Sequence, residues 1–123
     1  MTTQNPIRTI QDLLEAQLGT SFVERENPES IDNIDTAVKD ILRPDPSRIA
    51  FLFVNLSSTD AIFLRPSGDA ATSNGVRVAA GGTLFTSWRE DGTTPSKVWS
   101  ALTETNNNQA FYLLTYSIPG SNA

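Results

Sequence analysis

The hydrophobic pattern of this 123-residue chain changes its period near residue 47, and that change constrains the fold more than any other feature. After the stiff turn RPDPS, with prolines at 44 and 46, short β-rich segments follow one another at intervals of about ten residues. They are RIAFLFVNL (48–56), DAIFLR (60–65), GVRVAA (75–80), GTLFTSWRE (82–90), SKVWSALT (96–103) and QAFYLLTYSI (109–118). Clusters of Ser, Thr, Asn, Asp, Gly and Pro separate them. The first and the last are apolar on both parities, as strands covered on both faces are, and should form the middle of the core. No helical period intervenes. The class predicted is therefore mainly β: an antiparallel β-sandwich or jelly-roll-like barrel of about six to eight strands over 48–118.

Residues 1–47 read differently. In RTIQDLLEAQLG, Ile10, Leu13, Leu14 and Leu18 recur at helical spacing, Thr9 can cap the start and Gly19 the end. In NPESIDNIDTAVKDILRP, Ile31, Ile34, Val38, Ile41 and Leu42 fall on one helical face, and Arg43 before Pro44 supplies a stop. This spacing predicts two helices, and with them a division into an acidic helical N-terminal arm (1–47) and a β-sandwich domain (48–123). Charge divides at the same point. The arm carries four basic and nine acidic side chains, which account for the whole formal charge of −5, while residues 48–123 hold five of each. Such a chain has no basic face with which to release counterions from a phosphate backbone, so nucleic acid is not an expected direct partner.

The chemistry is thin. There is no cysteine and no histidine, which removes thiolate nucleophiles, the imidazole base and the commonest zinc ligands together. The pair Gly81-Gly82 invites a phosphate-loop reading, but it runs into TLFTSW, a strand, and lacks the Gly-Lys-Ser/Thr that opens a helix. It reads as a hairpin turn instead. Paired acids occur at Glu90 and Asp91 and at Asp32 and Asp35; the first pair looks like a turn before Gly92, the second like a solvated helix face. A carboxylate-based glycosidase would need Glu90, Asp91 or Glu104 to converge in a cleft. Trp88, Trp99, Phe111, Tyr112 and Tyr116 could form a sugar-stacking platform, although alternation puts Trp88 beside Leu84 and Trp99 beside Ala101, both toward a core. No metal loop of the calcium type occurs and no cofactor is predicted. No apolar run is long enough to span a bilayer, and the N-terminus lacks the layout of a signal peptide, so a soluble product made in the cytosol is expected, with no membrane partner.

The succession FLFVNLSSTDAIFLRPSG, SNGVRVAAGGTLFTSW, KVWSALT and QAFYLLTYSI resembles small virion proteins of tailed bacteriophages. The likeness covers about residues 48–118 and lies in an Asn-Leu-Ser strand end, a Gly-Gly turn, a W-x-A strand and a closing aromatic strand. It implies a non-enzymatic β-sandwich or jelly-roll module that decorates or stabilises a capsid or its vertices. It also implies a location in the virion after synthesis in the host cytoplasm, the major capsid or other virion proteins as partners, and a homo-oligomer. A neck or tail connector and a glycan- or receptor-binding module of a tail or head fibre are the alternatives. The arm's stripe of Ile10, Leu13, Leu14 and Leu18 is the candidate partner-binding surface, and covering one sheet of its own domain is the competing use.

Overall fold

The computed structural model describes residues 22–118. They form eight antiparallel strands: β1 (Val23–Glu26), β2 (Lys39–Leu42), β3 (Arg48–Asn55), β4 (Ile62–Pro66), β5 (Val76–Val78), β6 (Thr83–Ser87), β7 (Trp99–Thr103) and β8 (Phe111–Ser117). One four-stranded sheet has the order β1-β8-β3-β6, and the other the order β2-β7-β4-β5. Apart from the β4–β5 hairpin, every connection crosses from one sheet to the other.

The two sheets enclose a core built from alternate residues of the strands, since successive side chains point to opposite faces, except in β2, where the irregularity between Asp40 and Leu42 brings the consecutive Ile41 and Leu42 into it together. Phe51 and Phe53 of β3, Ile62 and Leu64 of β4, Ile41 and Leu42 of β2, Trp99 of β7 and Leu113 of β8 meet there. The Phe51 and Trp99 rings pack edge to face with centroids 5.0 Å apart. Phe53 stacks on Phe111 at 5.8 Å. The two segments that are apolar on both parities, now β3 and β8, are adjacent and central in their sheet, as the sequence predicts. Their second faces are buried too, in a cluster that includes Ala50, Leu52, Leu114 and Tyr116.

The helix expected over the second acidic stretch is absent, and the chain there is extended. Lys39–Leu42 pairs with β7. Ile34 forms a bridge with Gln109 through both backbone bonds. Ile34, Ile41 and Leu42 are indeed buried, but Val38, on the same supposed helical face, is 38 % exposed. Local and tertiary causes combine. Ile31, Ile34, Thr36, Val38 and Ile41 are β-branched and lose rotamer freedom in a helix. Asn27 and Ser30 take positive φ (43° and 54°) and turn the chain at the proposed helix start. The Asp35 carboxylate accepts a bond from the Asn108 N–H at 2.7 Å rather than facing solvent on a helix. Strands β1 and β2 therefore place residues 23–26 and 39–42 inside the two sheets. The first expected helix, with Ile10, Leu13, Leu14 and Leu18, lies outside the described residues.

Gly81 takes φ 76°, and the Gly82 N–H bonds the Ala79 carbonyl at 2.8 Å, which closes a tight turn. The turn expected from the glycine pair is there, but it is not a hairpin. β5 pairs with β4 and β6 with β3, so the turn carries the chain between sheets.

Candidate functional site

The two ends of the sandwich are each closed by a buried polar side chain: Arg48, which the sequence expectations did not single out, and Asn55, which entered them only in the Asn-Leu-Ser strand end of the resemblance. At one end is Arg48, the first residue of β3 and 4 % exposed. Its Nε donates to the Pro95 carbonyl at 2.7 Å, and one terminal nitrogen donates to the carbonyls of Lys97 (2.7 Å) and Arg43 (2.9 Å). Burial lowers its pKa from the ordinary arginine value, with Asp45 and Glu29 opposing. Arg48 borders a cleft of about 600 Å³ whose walls also carry Arg25, Arg43, Glu29 and Asp45. Three of these ionised groups have structural partners: Arg43 Nε lies 2.8 Å from Glu29, and Asp45 accepts from the Ser47 N–H at 2.9 Å.

At the other end Asn55, the last residue of β3, is fully buried. Its amide nitrogen donates to the carbonyls of Asp60 (2.8 Å), Val78 (3.0 Å) and Ala79 (3.2 Å), and its oxygen accepts from the Ser57 N–H at 2.9 Å. Asp60 organises the neighbouring loop by accepting from the backbone N–H groups of Asn106 (2.6 Å) and Thr105 (3.0 Å) and from the Asn106 amide (2.9 Å). Those bonds, the Asn106 N–H first, hold its carboxyl below the usual range, and the Asn108 N–H does the same for Asp35. The polar stretch TNNNQ thus works as a set of donors for two acids distant in sequence. Asparagine between two apolar strands was the available signal, because it carries donor and acceptor on a short stem.

The carboxylates of the glycosidase reading do not converge. Asp91 accepts from the Thr86 hydroxyl at 2.7 Å, beside the residues of β6 that pair with the start of β3. Glu104 follows β7 at the opposite end, where its N–H bonds the Ala61 carbonyl and its carboxylate lies 3.9 Å from Arg77. The eight residues of β3 that separate the two ends span about 25 Å. Among the described residues no group of three or more acids is placed to hold a metal ion.

The aromatic set is dispersed as well. Trp99 is buried as expected, and its indole N–H donates to the Thr94 carbonyl at 3.0 Å. Phe111 lies against Phe53, and Tyr116 is fully buried. Trp88 departs from its expected burial: it is 37 % exposed. β6 ends at Ser87, and Trp88–Asp91 coils into one helical turn that Gly92 ends at φ 63°, so strand parity no longer applies to Trp88.

Several large apolar side chains remain exposed on the surface. β5 and β6 are outer strands of their sheets, joined by the turn at Gly81. This side displays Val76 (43 % exposed), Phe85 (38 %) and Trp88 (37 %). The outer strand β1 on the other side, with sequence VERE, is short and charged, a common protection against edge-to-edge pairing. Comparison of the chain with protein-family models, with curated proteins and with solved structures finds no match.

Proposed function

We propose that this chain is a non-enzymatic structural protein of a tailed-bacteriophage virion that decorates or stabilises the capsid or its vertices through protein contacts. The strand order carries the reading. β1-β8-β3-β6 facing β2-β7-β4-β5 is the double Greek-key order of a jelly roll, an architecture common in capsid proteins and in lectins. Fold alone does not fix function. The sequence resemblance adds to it, as does the engagement of the buried polar groups: no buried side-chain nitrogen or oxygen of the described residues lacks a hydrogen-bond partner. The surface assigned to the partner is the β5–β6 side, with Phe85 and Trp88 as its apolar anchors.

The test is a count of copies and a pair of variants. Purified particles should contain the chain in many symmetric copies, and Phe85→Ser and Trp88→Ala should fold yet fail to bind particles stripped of the chain. Finding the chain only in infected-cell cytosol, or wild-type binding by both variants, refutes the proposal. Exposure of Trp88 also favours a second reading, a glycan- or receptor-binding module. Tryptophan fluorescence that stays unchanged across a broad polysaccharide panel refutes that one.

A further inference from the structure

The outer faces of the two sheets are not covered in the same way. On β2-β7-β4-β5, Phe63 and Leu102 are opposite one another and buried together with Ala61 and Ala70. Their cover is visible: the loop after β4 folds back, with the Ala70 N–H on the Ser100 hydroxyl at 2.8 Å and that hydroxyl on the Gly68 carbonyl at 2.6 Å.

On β1-β8-β3-β6 the outward positions are Ala50, Leu52 and Val54 of β3, opposite Tyr116, Leu114 and Tyr112 of β8. Tyr116 is 0 % exposed, Leu114 2 % and Leu52 8 %. Every member of this cluster among the described residues comes from the sheet itself, Ile49 at the irregularity in β3 included, or is Phe22. Side chains on one sheet face stand side by side, roughly perpendicular to the sheet, and cannot bury one another from above. Something must lie across them.

We propose that the cover is the N-terminal segment of the same chain, laid on this face through Ile10, Leu13, Leu14 and Leu18. Three observations select that occupant. The segment of 21 residues leads into Phe22, which is itself in the cluster and 8 % exposed, so the described structure begins on this face. The stripe at 10, 13, 14 and 18 has the spacing of one apolar helical face, and a sheet face of Leu, Ala, Val and Tyr is its natural complement. The dimensions also match. Residues 7–18 as a helix are about 18 Å long, against a face of about 13 Å along β3 from Ala50 to Val54 and about 14 Å across four strands. The four residues 19–22 suffice to turn the chain back into β1. The inference goes beyond the virion role and holds whatever the partner is. It makes the stripe part of the chain's own fold, so partner binding falls to the β6 edge of this face and the β5–β6 side beyond it, where Phe85, opposite Leu52, stays 38 % exposed.

The decisive measurement is an isotope-filtered NOE experiment on an equal mixture of labelled and unlabelled full-length chain. Contacts from the methyl groups of Leu13, Leu14 or Leu18 to the Tyr116 ring, Leu114 or Leu52 are expected within one chain. Their absence overturns the proposal, and so does their appearance only between chains, which would mark the cover as the arm of a second copy. A second readout uses the only two tyrosines, Tyr112 and Tyr116. Burial raises both pKa values, with Glu26 also acting on Tyr112 and Glu24 on Tyr116. In full-length Leu14→Asp with strand content retained, tyrosinate absorbance should rise at a pH nearer the ordinary value of about 10. A titration identical to that of the wild-type chain overturns the proposal.

Discussion

Asn55→Leu isolates what the buried amide at the end of β3 contributes. The substitution keeps the branched four-atom skeleton of the side chain and replaces an amide with four hydrogen bonds by a somewhat bulkier apolar group. Its partners are not equally affected. The Ala79 carbonyl keeps the Gly82 N–H at 2.8 Å, whereas the Ser57 N–H and the Asp60 carbonyl have no other partner in the backbone network. A buried polar group left without a partner costs about 1–3 kcal/mol, so two of them, less the gain from burying leucine, give a loss of about 3 kcal/mol. Total stability for a domain of this kind is roughly 5–15 kcal/mol. Urea unfolding followed by tryptophan fluorescence reads the loss directly. With m of about 2 kcal/mol/M the midpoint should fall by about 1.5 M at unchanged m. A fall below about 0.3 M refutes the account of Asn55 as the tie between the 56–60 loop and the crossing at 78–82. Asn55→Asp supplies an internal control. It keeps an acceptor for Ser57 but sets a carboxylate against the Asp60 and Val78 carbonyls, so its folded pKa lies above the unfolded value of about 3.9. The folded variant then binds more protons than the unfolded one, and its deficit should shrink as pH falls from about 7 toward 5; a deficit that grows on acidification contradicts the geometry.

Gly81→Val should destabilise by about 1–2 kcal/mol, because a β-branched residue is strained at φ 76°, while Gly81→Asn should lose less; no Cβ clash contributes, since the position opens onto free space. Thermal melts that rank valine and asparagine alike would show that φ is not the cause. Alkaline stability follows the tyrosines: Tyr112 is pushed up to about 12 by burial and by its hydrogen bond to Glu26, and Tyr116 is pushed up further. Both raised groups favour the folded state fully below the unfolded pKa of about 10 and lose that effect as pH rises toward about 12, so alkaline unfolding and tyrosine ionisation should coincide; ionisation of the folded chain near pH 10 would refute this. At the acid end, Asp60 and Asp35 hold lowered pKa values through the 105–108 backbone, so their contribution is present above about pH 4 and lost as pH falls through the lower folded values. Protection factors for amide exchange, taken relative to the intrinsic rate at each pH, should fall at Asn106 and Asn108 on acidification before those of the β3 and β8 amides do, and simultaneous release would contradict it.

Much of the sandwich was legible because burial on both faces leaves an unambiguous mark. RIAFLFVNL and QAFYLLTYSI have no polar parity, and they became the paired centre of one sheet. DAIFLR, GVRVAA and SKVWSALT each yielded their strand. β1 and β2 were hidden for opposite reasons. VERE is an exposed edge of mostly charged residues and carries no hydrophobic signal. KDIL lies in a stretch whose apolar spacing fits a helix, and only pairing with Trp99–Ala101 decides for a strand. Neither Arg48 nor Asn55 could be ranked from sequence, because the carbonyls they bind come from residues up to 49 positions away.

By itself the sequence determined the β class, the positions of the central strands, the turn at Gly81 and the lack of thiol and imidazole chemistry. These follow from local terms: side-chain parity, the φ range of glycine and the inventory of functional groups. Only the tertiary structure decided which sheet each strand joins, that Ile34 and Ile41 are buried from an extended chain, that Trp88 faces solvent, and which polar groups tie the two ends. Those outcomes depend on pairings between residues far apart in sequence, such as Asp35 with Asn108 and Asp60 with Asn106. Hydrogen bonds and apolar contacts of that range outweigh propensity differences of at most about 0.7 kcal/mol per residue.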